Sequence, residues 1–354
     1  MKSTAKVCFN NNIMSYPVSK DSLSYKMDAN ENPYDLMEYV FEDFIDKIRG
    51  IAINRYPDTD CLELKERIAI HNDTKGENII CGNGSDEIIQ ITVNTFVRFG
   101  DAVITHTPTF SMYKAFTAIA GGNCIEVPSD EGFNVDIEKI ISAANNNNAK
   151  LIFICNPNNP TGYSFSRDQI ISILEKTNTM VVVDEAYAEF MNDSVVDLTR
   201  KYKTLIVLKT MSKAFGLAGA RIGYGISNIE TIEMLNCVKS PYNLNTFSQL
   251  LGITYLENIS NISDSIVKIK EQREYLLDEL FQFDCIRTFP SKSNFILIKT
   301  EKASTLLQET KEAGIALRYY NNDALLENCI RITVGTEEEN IKLIKVIKKV
   351  VGSS

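Results

Sequence analysis

Hydrophobic and polar residues alternate with two different periods through the middle of the chain. Short apolar, largely β-branched segments typical of buried strands occur at 102–104, 150–154, 180–183 and 203–208. Between them lie segments with helical spacing. One covers 60–70, and another begins near Gly84 with apolar positions at Ile88 and Ile91. This alternation predicts an α/β fold whose large domain has a mainly parallel central sheet flanked by helices.

The pattern changes after about Pro241. The spacing there predicts a long helix, two strands and a closing basic helix at 266–281, 295–298, 329–334 and 338–350. These elements favour a smaller α+β domain that is completed by the N-terminal segment. We therefore predict a large domain over 46–264 and a small domain with an N-terminal arm made from 1–45 and 265–354.

Composition excludes several classes of protein. The 354 residues are 44% hydrophobic and 23% charged, as in an ordinary globular protein with an ample core. A net charge of -9 without a basic cluster disfavours nucleic acid as a partner. Eight scattered cysteines disfavour structural zinc and a disulfide scaffold, and we expect no metal. Without a long apolar run or a signal-peptide core, we expect a soluble cytoplasmic protein that does not bind membranes.

The most informative residue is Lys213, which follows the strand predicted at 203–208. It comes directly after Ser212 and is followed by a glycine-containing segment that leads to Arg221. Open α/β folds bind their ligands beyond the carboxyl ends of the strands. A lysine held there can lose its proton and form a Schiff base with an aldehyde cofactor.

Asp184 also follows a predicted strand, 180–183. Burying a carboxylate is costly unless it meets a cation or hydrogen-bond donors. A pyridinium nitrogen would be such a cation, and it would make a pyridoxal ring an electron sink. Tyr187, three residues later, could reach the ring oxygen of that cofactor. Taken alone, Asp184 would equally suit a metal ligand or a helix cap.

Three further segments could contact such a cofactor. Residues 82–86 precede a helix and offer backbone N–H groups to a phosphate, although an ordinary helix cap has the same pattern. Ser212 and Arg221 would add a hydroxyl and a bidentate cation. Phe110 could stack on a flat ring or simply fill the core. The sequence at 156–162, taken alone, indicates only a strong turn.

Together these motifs resemble the fold-type I pyridoxal-phosphate-dependent aminotransferases. In chain order the motifs are NPNNPTG at 156–162, DEAY at 184–187, and a third at 212–221. The third consists of SK, five intervening residues and then G-x-R. NENPY, RYP and RITVGT support it at 30–34, 55–57 and 331–336. The resemblance runs from about Tyr16 to Val350 and is greatest to the histidinol-phosphate aminotransferase family. It implies the PLP-dependent transferase fold and pyridoxal 5'-phosphate as cofactor.

The resemblance also implies a role for individual residues. Lys213 would bind the cofactor and transfer the proton at the substrate's α-carbon. Asp184 would pair with the pyridine nitrogen, Tyr187 and Asn159 would bind the ring oxygen, and Phe110 would stack on the ring. The phosphate would be held by Gly84, Ser85, Asp86, Thr210, Ser212 and Arg221.

The substrate site and the subunit partner follow from the same resemblance. Tyr56 would reach the cofactor phosphate of a neighbouring subunit, which implies a homodimer with shared active sites. Arg318 and Arg331 would bind the substrate's anionic groups, and Tyr16 would close the pocket. A guanidinium group binds a carboxylate and a phosphate equally well, so this pair does not identify the substrate.

The implied reaction converts histidinol phosphate and 2-oxoglutarate to imidazole acetol phosphate and glutamate in histidine biosynthesis. Two sequence departures bear on the substrate: Tyr319 follows Arg318 where many relatives have an acid, and Phe110 replaces a tyrosine. Alternatives on the same scaffold are an aromatic amino acid aminotransferase and a threonine-phosphate decarboxylase. A non-catalytic, pyridoxal-phosphate-binding regulatory domain fits less well because no DNA-binding segment accompanies it.

Overall fold

The computed structural model describes residues 23–191, 193–320 and 324–352, and its strands form two sheets. The strands are β1 Tyr25–Met27, β2 Ile79–Asn83, β3 Ala102–Thr107, β4 Asn123–Pro128, β5 Leu151–Cys155, β6 Met180–Asp184, β7 Leu205–Thr210, β8 Ile222–Ile226, β9 Arg287–Thr288, β10 Phe295–Lys299, β11 Ile315–Tyr319 and β12 Cys329–Thr333. The helices are α1 Phe41–Arg49, α2 Leu62–His71, α3 Ser85–Phe96, α4 Met112–Ile119, α5 Ile137–Asn146, α6 Arg167–Lys176, α7 Ile229–Val238, α8 Thr246–Glu257, α9 Ile259–Leu280, α10 Ala303–Glu312 and α11 Glu337–Val351.

The larger sheet has seven strands in the order β2-β8-β7-β6-β5-β3-β4. β8 is antiparallel to both of its neighbours, and the other pairings are parallel. Every residue of β5 is buried because helices cover both faces of the sheet. The predicted mainly parallel, helix-flanked sheet is therefore confirmed. Its parallel strands end at one edge, which brings the residues that follow β5, β6 and β7 together.

The smaller sheet has five strands in the order β1-β11-β12-β10-β9. β1 is parallel to β11, and the remaining pairs are antiparallel. The N-terminal strand thus pairs with strands from the last part of the chain. This pairing carries residues 28–32 to the edge where the large sheet ends.

Most predicted elements are present, and the differences have physical causes. The strand predicted at 203–208 lies at 205–210 because Lys209 and Thr210 are polar in sequence but buried within the strand. The long helix α9 begins at Ile259 rather than at 266, since its first turns are rich in serine and asparagine and lack a clear apolar stripe. None of the helices in the described parts of the chain is long and apolar enough to cross a membrane.

A cluster of buried charges lies near the ends of β6 and β7. The ammonium of Lys209 lies 3.0 Å from Glu189 Oε1 and 3.6 Å from Glu185 Oε2. Glu185 also accepts hydrogen bonds from Ser194 Oγ (2.6 Å) and Val195 N (2.7 Å). Because Glu185 follows β6 and Lys209 lies in β7, the cluster ties together the ends of two adjacent strands.

Candidate active site

A cavity of about 480 Å³ lies at the carboxyl ends of the central parallel strands. Residues of both sheets line it. Most of the residues predicted for the site are among them: Ser85, Asp86, Phe110, Asn159, Asp184, Tyr187, Thr210, Ser212, Lys213, Arg221, Arg318 and Arg331. The topology therefore brings together residues that are far apart in the sequence, since Ser85 and Arg331 line one cavity.

Lys213 lies three residues beyond β7, and its ammonium faces this cavity. Its Nζ donates a hydrogen bond of 3.0 Å to the carbonyl of Ala29 and lies 6.0 Å from the centre of the Tyr187 ring. Loss of hydration, followed by repulsion from Arg331, lowers the pKa of Lys213 to about 8. A lysine with a pKa in this range is a competent nucleophile and base near neutral pH.

Asp184 ends β6 and is 3% exposed. Its Oδ2 accepts a hydrogen bond of 2.6 Å from Tyr113 Oη, and its Oδ1 accepts one of 3.1 Å from the Ala186 amide. Burial raises its pKa to about 6, although both hydrogen bonds oppose the rise. No described lysine or arginine forms a salt bridge with this carboxylate. A cationic ring nitrogen is the kind of group that would offset its burial.

Tyr187 is held by the segment that follows β1. Its hydroxyl accepts a hydrogen bond of 3.0 Å from Asn30 Nδ2, and its ring packs edge-on against Phe295. The backbone amide of Asn30 donates to Thr333 Oγ1 at 2.9 Å, which anchors the segment on β12. The phenol of Tyr187 is therefore oriented by residues from both ends of the chain.

The N-terminus of α3 has the features of an anion site. Gly84 precedes the helix with a φ of 85°, and no side chain caps the first turn. Arg221 Nη1 lies 3.3 Å from Ser212 Oγ, and its Nη2 lies 3.4 Å from Asp86 Oδ2. The φ of Gly84 lies in the left-handed region that favours glycine, and a Cβ atom there would also displace Arg221, whose Nη2 would be 2.5 Å away. Free helix N–H groups beside a guanidinium fit a phosphate.

The arginines lie opposite each other in the small sheet, where Arg318 of β11 is the register partner of Arg331 of β12. Arg331 is 2% exposed. It donates hydrogen bonds of 2.6 Å to Asn159 Oδ1 and to the carbonyl of Asp28. Since Asn159 uses its oxygen for Arg331, its amide nitrogen is the atom that remains for an oxygen acceptor in the cavity. Arg318 packs over the Tyr320 ring at 5.6 Å.

One predicted residue lies away from this cavity, one lies beside it, and one falls outside the described part of the chain. Tyr56 is 79% exposed and stacks on Tyr242 at a centroid distance of 4.2 Å, so it does not contact the cavity of its own chain. Tyr16 lies outside the described residues. Gly84 does not line the cavity itself but contacts Arg221, which does.

Sequence reasoning missed several residues that shape the site. Tyr113 lies three positions after Phe110 in a segment from which only the phenylalanine was selected. Asn30 belongs to the NENPY motif, but no spacing rule links it to Tyr187. Gly223 lies in β8, where an added Cβ would come within 2.1 Å of the Ser85 amide. The sequence feature that could have identified Gly223 is its position in the G-x-R-x-G motif at 219–223.

Comparisons with known proteins agree with this geometry. The sequence profile of aminotransferase class I and II matches residues 25–347. A histidinol-phosphate aminotransferase of Thermoanaerobacter pseudethanolicus is 41% identical over 334 residues, which cover 94% of this chain and 95% of that protein. The histidinol-phosphate aminotransferase structure from Clostridium acetobutylicum has a TM-score of 0.86 and 26% identity, covering 93% of this chain and 100% of that one. The Sinorhizobium meliloti enzyme of the same name, solved with pyridoxal-5'-phosphate, has a TM-score of 0.85 and 24% identity, covering 94% and 92%. The chain therefore belongs to the class I and II aminotransferase family.

Proposed function

We propose that this chain is a pyridoxal-phosphate-dependent aminotransferase. It transfers the amino group of histidinol phosphate to 2-oxoglutarate and gives imidazole acetol phosphate and glutamate, as a step of histidine biosynthesis. One observation carries the cofactor assignment: a buried carboxylate without a salt bridge to any described residue shares a cavity with a lysine of lowered pKa. The name of the 41% identical relative, which matches almost end to end, supports the substrate.

The residues present fit the cofactor. When bound, pyridoxal phosphate supplies an aldehyde that condenses with amines and a ring that withdraws electrons from the substrate's α-carbon. Asp184 would hold a proton on the ring nitrogen, and Phe110 would cover one face of the ring. Asn159 and Tyr187 would donate hydrogen bonds to the ring oxygen. The phosphate would be held by the amides at the start of α3 with Gly84, Ser85, Asp86, Thr210, Ser212 and Arg221.

The chain's own groups perform the proton transfer and the substrate binding. Lys213 Nζ removes the proton from the substrate's α-carbon, which requires the neutral amine that a pKa of about 8 makes available. The Ala29 carbonyl orients that amine. Arg331 binds an anionic group of the substrate at the buried end of the cavity, and Arg318 binds a second one. By the family resemblance Tyr16, which lies outside the described residues, would close the pocket.

We also infer a homodimer in which Tyr56 reaches the active site of the partner subunit. Tyr56 is exposed, does not line the cavity of its own chain and stacks on Tyr242. Large apolar side chains near Tyr56 or Tyr242 in the sequence are also exposed: Ile53, Leu62 and Phe247. Monomeric proteins rarely expose many such groups together, so an apolar contact surface accounts for them.

The domain division and the location of the protein belong to the same proposal. Residues 46–264 form the large cofactor-binding domain, and residues 1–45 with 265–354 form the small domain and the N-terminal arm. The pairing of β1 with β11 supports this grouping. The cysteines at seven described positions are all free thiols, as expected in a reducing cytoplasm.

The test combines a lysine variant with a panel of amino donors. Lys213→Ala is expected to abolish turnover and the visible colour of the bound cofactor. Lys139→Ala, which removes an exposed lysine of α5, is the matched control and keeps both. With 2-oxoglutarate as acceptor, histidinol phosphate is expected to give glutamate faster than phenylalanine does. Release of carbon dioxide from phosphothreonine would instead identify a decarboxylase, and full turnover by Lys213→Ala would refute the assignment of the lysine.

A further inference from the structure

We propose that Tyr113 is a positioning residue that sets the proton affinity of Asp184 and, through it, keeps a proton on the ring nitrogen of the cofactor. This inference rests on the proposed function. It assigns a role to a residue that contacts neither the substrate anions nor the phosphate site.

The hydroxyl of Tyr113 is fixed by the packing of its ring. Tyr113 is the second residue of α4 and is fully buried. Its ring stacks on Phe153 of β5 at 4.7 Å, with an angle of 7° between the planes, and meets Phe110 edge-on at 5.6 Å. The ring cannot turn away from the sheet, so its Oη stays 2.6 Å from Asp184 Oδ2. Such a short contact is typical of a hydroxyl that donates to a carboxylate.

The direction of this hydrogen bond determines its effect. Burial and the charge of Asp184 raise the pKa of Tyr113 well above its usual value, so the phenol stays protonated at any working pH. A donor that faces a carboxylate stabilises its ionised form. The hydrogen bond therefore lowers the pKa of Asp184 against the larger effect of burial, which leaves that pKa at about 6.

Asp184 and a ring nitrogen would share one proton between them. The proton stays on the nitrogen only while the carboxylate has the lower proton affinity. The groups that act on this carboxylate or share its cavity come from α3, α4, β5, the end of β6 and the segment after β7: Asp86, Tyr113, Cys155, Glu185, Lys213 and Arg221. Asp86 and Glu185 raise the pKa of Asp184 by repulsion. Among these six, Tyr113 is the residue whose side chain donates a hydrogen bond to Asp184, so it opposes both acids.

Tyr113→Phe keeps the stacked ring and removes only the hydroxyl. The matched control is Tyr224→Phe, because Tyr224 is a buried tyrosine of β8 outside the cavity whose hydroxyl accepts a 3.4 Å hydrogen bond from Asn72. The first measurement is the pH midpoint of the visible absorbance of the bound cofactor. Tyr113→Phe is expected to raise it by about one pH unit, because a ring that loses its proton to Asp184 withdraws fewer electrons from the bond to Lys213. Tyr224→Phe is expected to titrate like the wild type.

A double-mutant cycle separates this role from a general effect on packing. If Tyr113 acts through Asp184, Tyr113→Phe adds no further shift in an Asp184→Asn background. An equal shift in both backgrounds, or a Tyr113→Phe protein that titrates like the wild type, would overturn the inference. Wild-type protein that binds no pyridoxal phosphate would instead refute the proposed function, so the two failures are distinguishable.

The cofactor-free protein gives a second readout. The folded-state pKa of Asp184 lies above its ordinary value, so its contribution to stability decreases as the pH rises from about 4 to about 6. Without the Tyr113 hydroxyl that pKa rises, and the decrease extends to higher pH. The melting temperature of Tyr113→Phe is therefore expected to fall more steeply than that of Tyr224→Phe between pH 6 and 8. Parallel curves for the two variants over this range would contradict the inference.

Discussion

The lowered pKa of Lys213 predicts how the cofactor-free protein takes up pyridoxal phosphate. Only the neutral amine attacks an aldehyde, and burial with repulsion from Arg331 brings the pKa of Lys213 from 10.5 to about 8. At pH 7 about one amine in ten is then neutral, against about one in three thousand for an ordinary lysine. The environment therefore increases the reactive fraction about 300-fold at this pH.

The assay is the rate of colour formation after rapid mixing of cofactor-free protein with excess pyridoxal phosphate between pH 6 and 10. The rate is expected to rise with pH and to level off above a midpoint near 8. Arg331→Leu removes a cation that opposes protonation of Lys213, so its midpoint is expected to lie higher. Arg167→Leu, which removes an arginine paired with Asp197 on the surface, is the control and leaves the midpoint unchanged. A wild-type midpoint near 10.5, or a lower midpoint in Arg331→Leu, would refute this reasoning.

Two further predictions concern Lys209 and Gly223, which do not line the cavity. Lys209→Met is expected to lower the free energy of unfolding by about 3–5 kcal/mol in denaturant titrations, because it leaves Glu185 and Glu189 buried without the cation that pairs with both. Lys203→Met, which breaks an exposed pair with Glu230, is expected to cost less than about 1 kcal/mol, and equal losses would contradict the argument. Gly223→Ala is expected to weaken pyridoxal phosphate binding about tenfold, since its Cβ would displace the Ser85 amide, while binding of pyridoxal without phosphate changes little. Gly219→Ala is the control, because its Cβ would meet nothing within 4 Å. If Gly223→Ala weakened the binding of both ligands equally, the substitution would not be acting on the phosphate site.

The sequence predicted those parts of the fold in which local composition and burial agree. The strand at 180–183 was recognisable because a parallel strand covered on both faces has a continuous apolar run. The strand β7 was placed two residues early because Lys209 is polar in sequence and buried by partners that only the folded chain supplies. A local sequence pattern cannot predict such partners, because they come from other parts of the chain.

The same limit applies to the candidate site. Asp184 and Lys213 could be placed together because both follow parallel strands, whose carboxyl ends share one edge. Asn30 and Tyr187 meet across 157 residues, and Tyr113 and Asp184 across 71. Those contacts depend on the register of β1 against β11 and on the packing of α4 against β5, neither of which is encoded by a local period.

The contacts of residues 29 and 30 also constrain when the site can form during synthesis. Asn30 is bonded to Thr333, and the two residues are 303 positions apart. At the usual speed of translation the ribosome needs about 15 to 60 s to make the intervening chain. Until then Asn30 lacks its anchor on β12, the Ala29 carbonyl is not held in place for Lys213, and Arg331 has not been made. A nascent chain can therefore fold its large sheet early but can complete its cofactor pocket only when translation is almost finished.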